Sequence, residues 1–139
     1  VAAATCLGSR ADGTRAELAA RLEDRLLVTA RVKTAASALR KMLRRNTAVR
    51  DLVGLRVVLL DPPTPSASLL LPHAALYAAY RACRRLWPEL EGRFKDYLVA
   101  PKPSGYQSLH TTVWLEELPM EIQLRTERMH AHAESGPAS

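Results

Sequence analysis

Cysteine is scarce in this chain. Cys6 and Cys83 are the whole supply, and they form neither a metal-ligand spacing nor a disulfide framework. That excludes a stapled miniature fold and fits a reducing compartment. Long apolar runs are also missing. None reaches the roughly 20 residues of a membrane span, so no membrane partner is expected. Acid is in short supply: 14 Asp and Glu stand against 20 Lys and Arg, for a net charge of +6 and a pI near 9.8. That balance favours polyanionic partners (nucleic acid, nucleotides, an anionic surface) without choosing among them. Val1 to Gly8 carries no basic n-region of a signal peptide. The missing initial Met fits a fragment of a longer protein or a processed form, with the cytoplasm as the default location and the chloroplast stroma as the alternative.

Against these absences stands a hydrophobic content of 47% over 139 residues, enough for a single globular domain with a modest core. Leu18, Leu22 and Leu26 recur at helical spacing and predict a helix over Ala11–Leu27. Leu26–Lys33 then turns extended, with Arg31 and Lys33 aimed to one side. Thr34 offers an N-cap for a helix over Ala35–Arg45. On it Ser37, Lys41 and Arg45 form one stripe, and Arg40 and Arg44 another. A strand delivering Arg31 and Lys33 to a basic helix can trap phosphate. A solvated cationic face or an RNA-backbone patch explains the same residues as well. Asp51 precedes a near-continuous apolar run through Leu60, the pattern of a buried strand, interrupted by Arg56. Prolines and serines break 61–72 into a loop. Ala74–Leu86 reads as a helix with Leu76, Ala79, Tyr80 and Cys83 inward, stopped by Trp87-Pro88.

Arg93–Val113 draws the rest together. It starts extended, breaks at Pro101 and Pro103, turns through Ser104-Gly105 and resumes as a strand from Gln107. Arg93, Lys95 and Lys102 supply cations, Tyr106 an aromatic face and His110 an imidazole, a set suited to stacking on a base and holding its phosphates. A basic hairpin whose tyrosine caps a core edge is the plainer account. Leu109–Leu115 and Met120–Thr126 read as strands. Glu121, Gln123 and Arg125 share one face of the second, with Ile122 and Leu124 facing the core. A helix over Glu127–Glu134 carries His130 and His132, which have no Cys or Asp at zinc-ligand spacing. The pattern is an α/β (α+β) domain with a mixed, mostly antiparallel sheet flanked by helices. Asp51 and Glu121, two carboxylates on a cationic surface, suggest a hard divalent ion bridging phosphates, with Mg²⁺ the default. That leaves nucleotidyl or phosphoryl transfer, or an inert nucleotide-binding relic.

Several segments then resemble the synthetase domain of the RelA/SpoT homologue family, a nucleotidyltransferase-like fold. They are Arg31-Val-Lys33 with Lys41-Met42, Asp51-Leu-Val-Gly-Leu-Arg56, Arg93-Phe-Lys-Asp-Tyr97, Pro101-Lys-Pro-Ser-Gly-Tyr-Gln-Ser-Leu-His-Thr-Thr112, and Glu121-Ile-Gln-Leu-Arg-Thr126 with Met129-His130 and Ala133-Glu134. The resemblance runs from about residue 25 onward. It implies an alarmone (p)ppGpp synthetase that moves pyrophosphate from ATP to the 3′-hydroxyl of GDP or GTP. By motif position, Arg31, Arg56, Lys33 and Lys41 would hold ATP. Asp51 and Glu121 would bind Mg²⁺ as the catalytic pair, with Glu121 also taking the 3′-hydroxyl proton. Tyr106 would stack on guanine. Arg93, Lys95, Lys102, His110, Gln123 and His130 would complete the GDP/GTP site. Arg93-Phe-Lys-Asp96 resembles the basic signature of bifunctional members, although the chain carries no His-Asp hydrolase motif. Ser104 stands where the family often has Asn, and the Pro/Ser-rich loop is unusual. Ribosome or RNA contact would belong to regions outside this chain, and a homo-oligomer is compatible with the family. The alternative is a catalytically inactive synthetase-like module that senses nucleotide or binds RNA.

Overall fold

Alternation and apolar runs become five strands and three helices among the residues that a computed structural model describes, 25–45, 53–62 and 71–136. The expected helix over 11–24, the connector 46–50, Asp51 and the proline-rich stretch 63–70 lie outside the described residues. Strand β1 is Leu26–Val32, so Leu26 and Leu27 are extended, not the end of the expected helix. Helix α1 is Ala35–Arg45. Thr34 caps it as expected, its hydroxyl oxygen accepting from the Ser37 N–H at 3.2 Å. Strand β2, Val53–Leu59, is the apolar run after Asp51.

Helix α2 is Pro72–Leu86, two residues earlier than the periodicity suggested. Proline is well suited to the first helical turn because its missing N–H would have no intrahelical partner there. The helix ends where expected. Trp87 turns extended, its N–H still donating to the Cys83 carbonyl at 3.0 Å, and Pro88 forbids another turn.

The segment after it is less strand-like than its alternation suggested. Strand β3 is only Lys95–Asp96, and regular pairing returns at Leu109 rather than Gln107. Strands β4, Leu109–Leu115, and β5, Leu118–Thr126, form a hairpin turning at Glu116-Glu117, with Glu116 at φ 55°. Strand β5 thus begins two residues before the expected Met120. Pro119 fits there because it pairs with Trp114, whose own N–H donates to the Pro88 carbonyl at 2.8 Å. Helix α3, Glu127–Ser135, is capped by Thr126, whose hydroxyl accepts from the Met129 N–H at 3.3 Å.

The strands form one mixed sheet in the order β1-β2-β5-β4-β3. Only the β2–β5 pair is parallel; the other three are antiparallel. Val57, Leu59, Leu109, Val113, Met120, Ile122 and Leu124 share one sheet face and are buried under Leu76, Ala79 and Tyr80 of α2. Leu76, Leu109, Ile122 and Leu124 are each 0% exposed, a burial that contributes roughly 1.5–3 kcal/mol per side chain. Cys83, expected on this inner face, is half-buried. With α2 holding the apolar face, the polar residues of alternating register are left on the other.

Candidate active site

Register assembles that second face. Because side chains alternate along a strand, partners in adjacent strands share a side. One row runs across all five strands: Thr29, Arg56, Gln123, His110 and Lys95. A second row beside it is Arg31, Gly54, Glu121 and Thr112. Six predicted positions, Arg31, Arg56, Lys95, His110, Glu121 and Gln123, therefore become neighbours through backbone pairing.

Arg31, Lys33, Lys41, Arg56, Glu121 and Gln123 line a cleft of about 290 Å³, floored by Gly54 and Leu55. All four residues expected for ATP are in it. Gly54 keeps the floor low; a β-carbon there would lie 3.6 Å from the Glu121 carbonyl and 3.7 Å from Arg31 Cγ. Lys41 enters from α1, so one of its two expected outward basic stripes in fact contributes to the cleft.

Glu121 joins the cleft to a second cluster. Its Oε1 accepts from Gln123 Nε2 at 3.0 Å and lies 3.9 Å from His110 Nδ1. Tyr106 Oη is 2.7 Å from His110 Nε2. The rings of Tyr97, Tyr106 and His110 meet edge to face, with centroids 5.2–6.0 Å apart. Lys102 Nζ stands over both tyrosines, 4.9 Å from the Tyr97 centroid and 5.1 Å from that of Tyr106. Gly105 takes φ 84° and donates its N–H to the Lys102 carbonyl at 2.8 Å, closing the turn that presents Tyr106.

Burial pushes His110 down to about 4; Glu121 pulls it upward, while Lys102, Lys95 and Arg125 push it down. The imidazole is therefore neutral at pH 7, and its approach to Glu121 is not an ion pair there. A neutral ring accepting the Tyr106 hydroxyl at Nε2 carries its proton on Nδ1, toward the carboxylate.

Arg125 departs from the expected exposed face: it is 2% exposed. Its Nη2 and Arg56 Nη1 converge on Glu134 Oε1 at 3.1 and 3.3 Å. Burial lowers the Arg125 pKa, with Tyr106 and Glu134 opposing. His130 does not line the cleft. It is half-buried on α3, its Nδ1 has no hydrogen-bond partner among the described residues, and burial, then Arg125, lowers its pKa. Arg93 and Lys95 are exposed at the rim beside β4. Asp51, the expected partner of Glu121, lies outside the described residues. A larger opening of about 830 Å³ between the start of α2 and α3 is lined by none of the predicted residues.

The Glu121 carboxylate suits a hard cation. Its Oε2 accepts no hydrogen bond among the described residues, and the surrounding cations belong to the walls that would hold phosphate.

The family described as the region found in RelA/SpoT proteins matches residues 30–139. The chain belongs to the RelA/SpoT family. A probable GTP diphosphokinase RSH3, chloroplastic, from Oryza sativa subsp. japonica is 38% identical over 116 residues, covering 81% of this chain and 15% of the relative. GTP diphosphokinase CRSH1, chloroplastic, from the same plant is 35% identical over 120 residues, covering 81% and 20%. This RelA/SpoT chain thus spans a fifth or less of those relatives. Its fold is that of small alarmone synthetase 2 from Bacillus subtilis, with TM-score 0.63 at 22% identity over 88% of this chain and 70% of that one. Small alarmone synthetase 1 from the same organism, bound to its product pppGpp, gives TM-score 0.60 at 24% identity over 77% and 57%.

In this RelA/SpoT domain several side chains that shape the site lie in the matching segments, although the sequence alone assigns them no role. Tyr97 completes the aromatic cluster, Glu134 ties down two arginines, and Asp96 anchors the rim segment. The signal for Glu134 was its place in the Ala133-Glu134 pair; its contacts depend on α3 folding back onto β5.

Proposed function

We propose that this domain is an alarmone synthetase, transferring the β,γ-pyrophosphate of ATP to the ribose 3′-oxygen of GDP or GTP. The observation that carries the reading is the position of Glu121. Its carboxylate shares one cleft with Arg31, Lys33, Lys41 and Arg56, and it touches Gln123 and approaches His110 on the other side. A carboxylate between two polyphosphate sites is suited to taking the proton of the acceptor hydroxyl as pyrophosphate passes from one site to the other. The names of the GTP diphosphokinase relatives support the same chemistry.

In the step itself the 3′-oxygen forms a bond to the β-phosphorus of ATP. The bond from that phosphorus to the α–β bridging oxygen breaks, and AMP leaves with its electron pair. The hydroxyl proton passes to Glu121 as general base. Arg31 and Arg56 flank the adenine, and Lys33 and Lys41 hold its phosphates. Tyr106 stacks on guanine, with Lys102, Lys95, Arg93 and His110 facing acceptor phosphates and Gln123 and His130 assigned to the acceptor side. Positioning and charge neutralisation dominate such transfers because the protein has little covalent work to do. Glu121 and Asp51 are the groups that would hold Mg²⁺, which supplies neutralisation of the triphosphate. Among the described residues no helix is long and apolar enough to cross a membrane. The cytoplasm, or the chloroplast compartment named for the plant relatives, is the proposed setting.

The test is purified protein with labelled ATP, GDP or GTP, and Mg²⁺. Glu121→Gln keeps the side-chain shape and removes the base. Transfer is expected to fall by at least about 10²-fold, within the range assigned to general-base groups, with nucleotide binding retained. Undiminished turnover by the variant would refute the role of Glu121, and no transfer by folded wild type would refute the reading.

A further inference from the structure

The rim segment that carries Arg93 and Lys95 is held by few backbone bonds, with Tyr97 donating its N–H to the Ser108 carbonyl at 3.0 Å just past β3. Strand β3 contributes two ladder pairs, Lys95 with His110 and Asp96 with Leu109, and it is the edge of the sheet. Two pairs hold a strand weakly, yet the geometry of a transfer site needs its cations fixed. Side chains from α2 supply the missing restraint.

The segment alternates. Lys95 shares the polar face with His110, while Phe94 and Asp96 reach α2. Phe94 stacks on Tyr80 with centroids 4.5 Å apart and planes 20° from parallel. Tyr77 donates its hydroxyl to Asp96 Oδ2 at 2.5 Å. Tyr77 and Tyr80 are three residues apart, so they lie on one side of the helix. Asp96 Oδ1 also accepts from the N–H groups of Leu98 and Val99 at 2.9 and 3.0 Å. One carboxylate therefore fixes the segment to the helix and sets the turn that follows. That turn leads through Tyr97, whose ring touches both His110 and Tyr106. Tyr80 is itself locked, donating to Glu89 Oε2 at 2.6 Å, where Thr111 Oγ1 also donates at 2.7 Å.

We propose that Tyr77 is a positioning residue for the acceptor nucleotide: through Asp96 it holds Lys95 and Tyr97 in register with His110 and Tyr106, although it lies on the side of the sheet away from the cleft. The ionisation states agree with this arrangement. Burial opposes charge on Asp96, but the bonds from Tyr77, Val99 and Leu98 outweigh it and hold its carboxyl below the usual range. The same bond, with burial and the nearby negative charge, raises the Tyr77 hydroxyl to about 12, so it remains a donor at pH 7.

The proposal rests on the synthetase reading, and its test separates the two. Fluorescent GDP binding, ATP binding and steady-state transfer are measured for wild type, Tyr77→Phe, Asp96→Asn and the double variant, with thermal unfolding alongside. Tyr77→Phe should weaken GDP binding and raise its KM by about five- to tenfold, the scale of one ordinary intramolecular hydrogen bond. ATP affinity should stay within about twofold. The double variant should be no worse than Asp96→Asn alone, because both act through one contact. GDP affinity unchanged in Tyr77→Phe, beside an active wild type, overturns the positioning role and leaves the function standing. A matched loss of ATP and GDP binding overturns it too, by reducing Tyr77 to a general packing residue. Wild type that binds GDP but does not transfer overturns the synthetase reading alone, and the Tyr77 comparison is then read from GDP binding. Wild type that neither binds GDP nor transfers overturns both.

Discussion

Glu134 is the residue whose removal should cost more than its exposure suggests. Its side chain is 51% exposed, the profile of a dispensable surface acid. Yet Oε1 receives both Arg125 Nη2 at 3.1 Å and Arg56 Nη1 at 3.3 Å, and the Arg125 side chain is 2% exposed. Deleting one partner of a buried ion pair costs about 3–5 kcal/mol, because the other charge is stranded. Water reaches Glu134, so screening discounts that figure, and Glu134→Ala should lose about 2 kcal/mol. Glu134→Gln keeps an acceptor oxygen and loses the charge, for about 1 kcal/mol by the same reasoning. Urea unfolding provides the measurement, with the midpoint falling at unchanged slope. Arg125→Met placed on Glu134→Ala should recover most of the loss, since the most deeply buried charge is then gone and only the partly exposed Arg56 is left without Glu134. Arg56 also loses a restraint, so the KM for ATP should rise several-fold in Glu134→Ala. Stability within about 0.5 kcal/mol of wild type, the usual range of neutral surface changes, would refute the clamp.

Two further outcomes can be checked. His110 titrates at about 4 when folded against an ordinary 6.5, so the folded state prefers the neutral ring. Its contribution is complete above pH 6.5 and drains away as pH falls toward 4, by up to about 3 kcal/mol; denaturation in metal-free buffer should show this slope, and a slope unchanged in His110→Gln would disprove it. Gly105→Ala should destabilise by about 1–2 kcal/mol, since φ 84° penalises a β-carbon that would also sit 3.2 Å from His132 Nε2; an unshifted melting temperature would show that the turn tolerates the substitution.

The parts legible in the sequence were those governed by short-range rules. The apolar run after Asp51 made β2, Thr34 capped α1, and the alternation through Ile122 and Leu124 identified the buried face of β5. Motif resemblance picked out Arg31, Lys33, Lys41, Arg56, Glu121 and Gln123, and the fold brings these six to one cleft. What escaped depends on pairs distant in the chain. Arg125 reads as one more polar residue on an alternating strand; its burial arises because α3 returns over β5 with Glu134. Tyr77 reads as helix packing until β3 is seen to be two residues long and tied to it. The start of α2 was misplaced because hydrophobic period locates a helix body better than its first turn, where Pro72 decides.

The last of the described strands occupies the middle of the sheet. Strand β5 slots between β2 and β4, joined to β2 in parallel across more than fifty intervening residues. During synthesis, Arg31 and Arg56 emerge long before Glu121, which joins them in the cleft only when that insertion is made. A nascent chain halted short of Glu121 would therefore lack the carboxylate that lines the cleft with Arg31 and Arg56. Under the proposed function, transfer should begin only after β5 has entered the sheet and α3 has folded back over it.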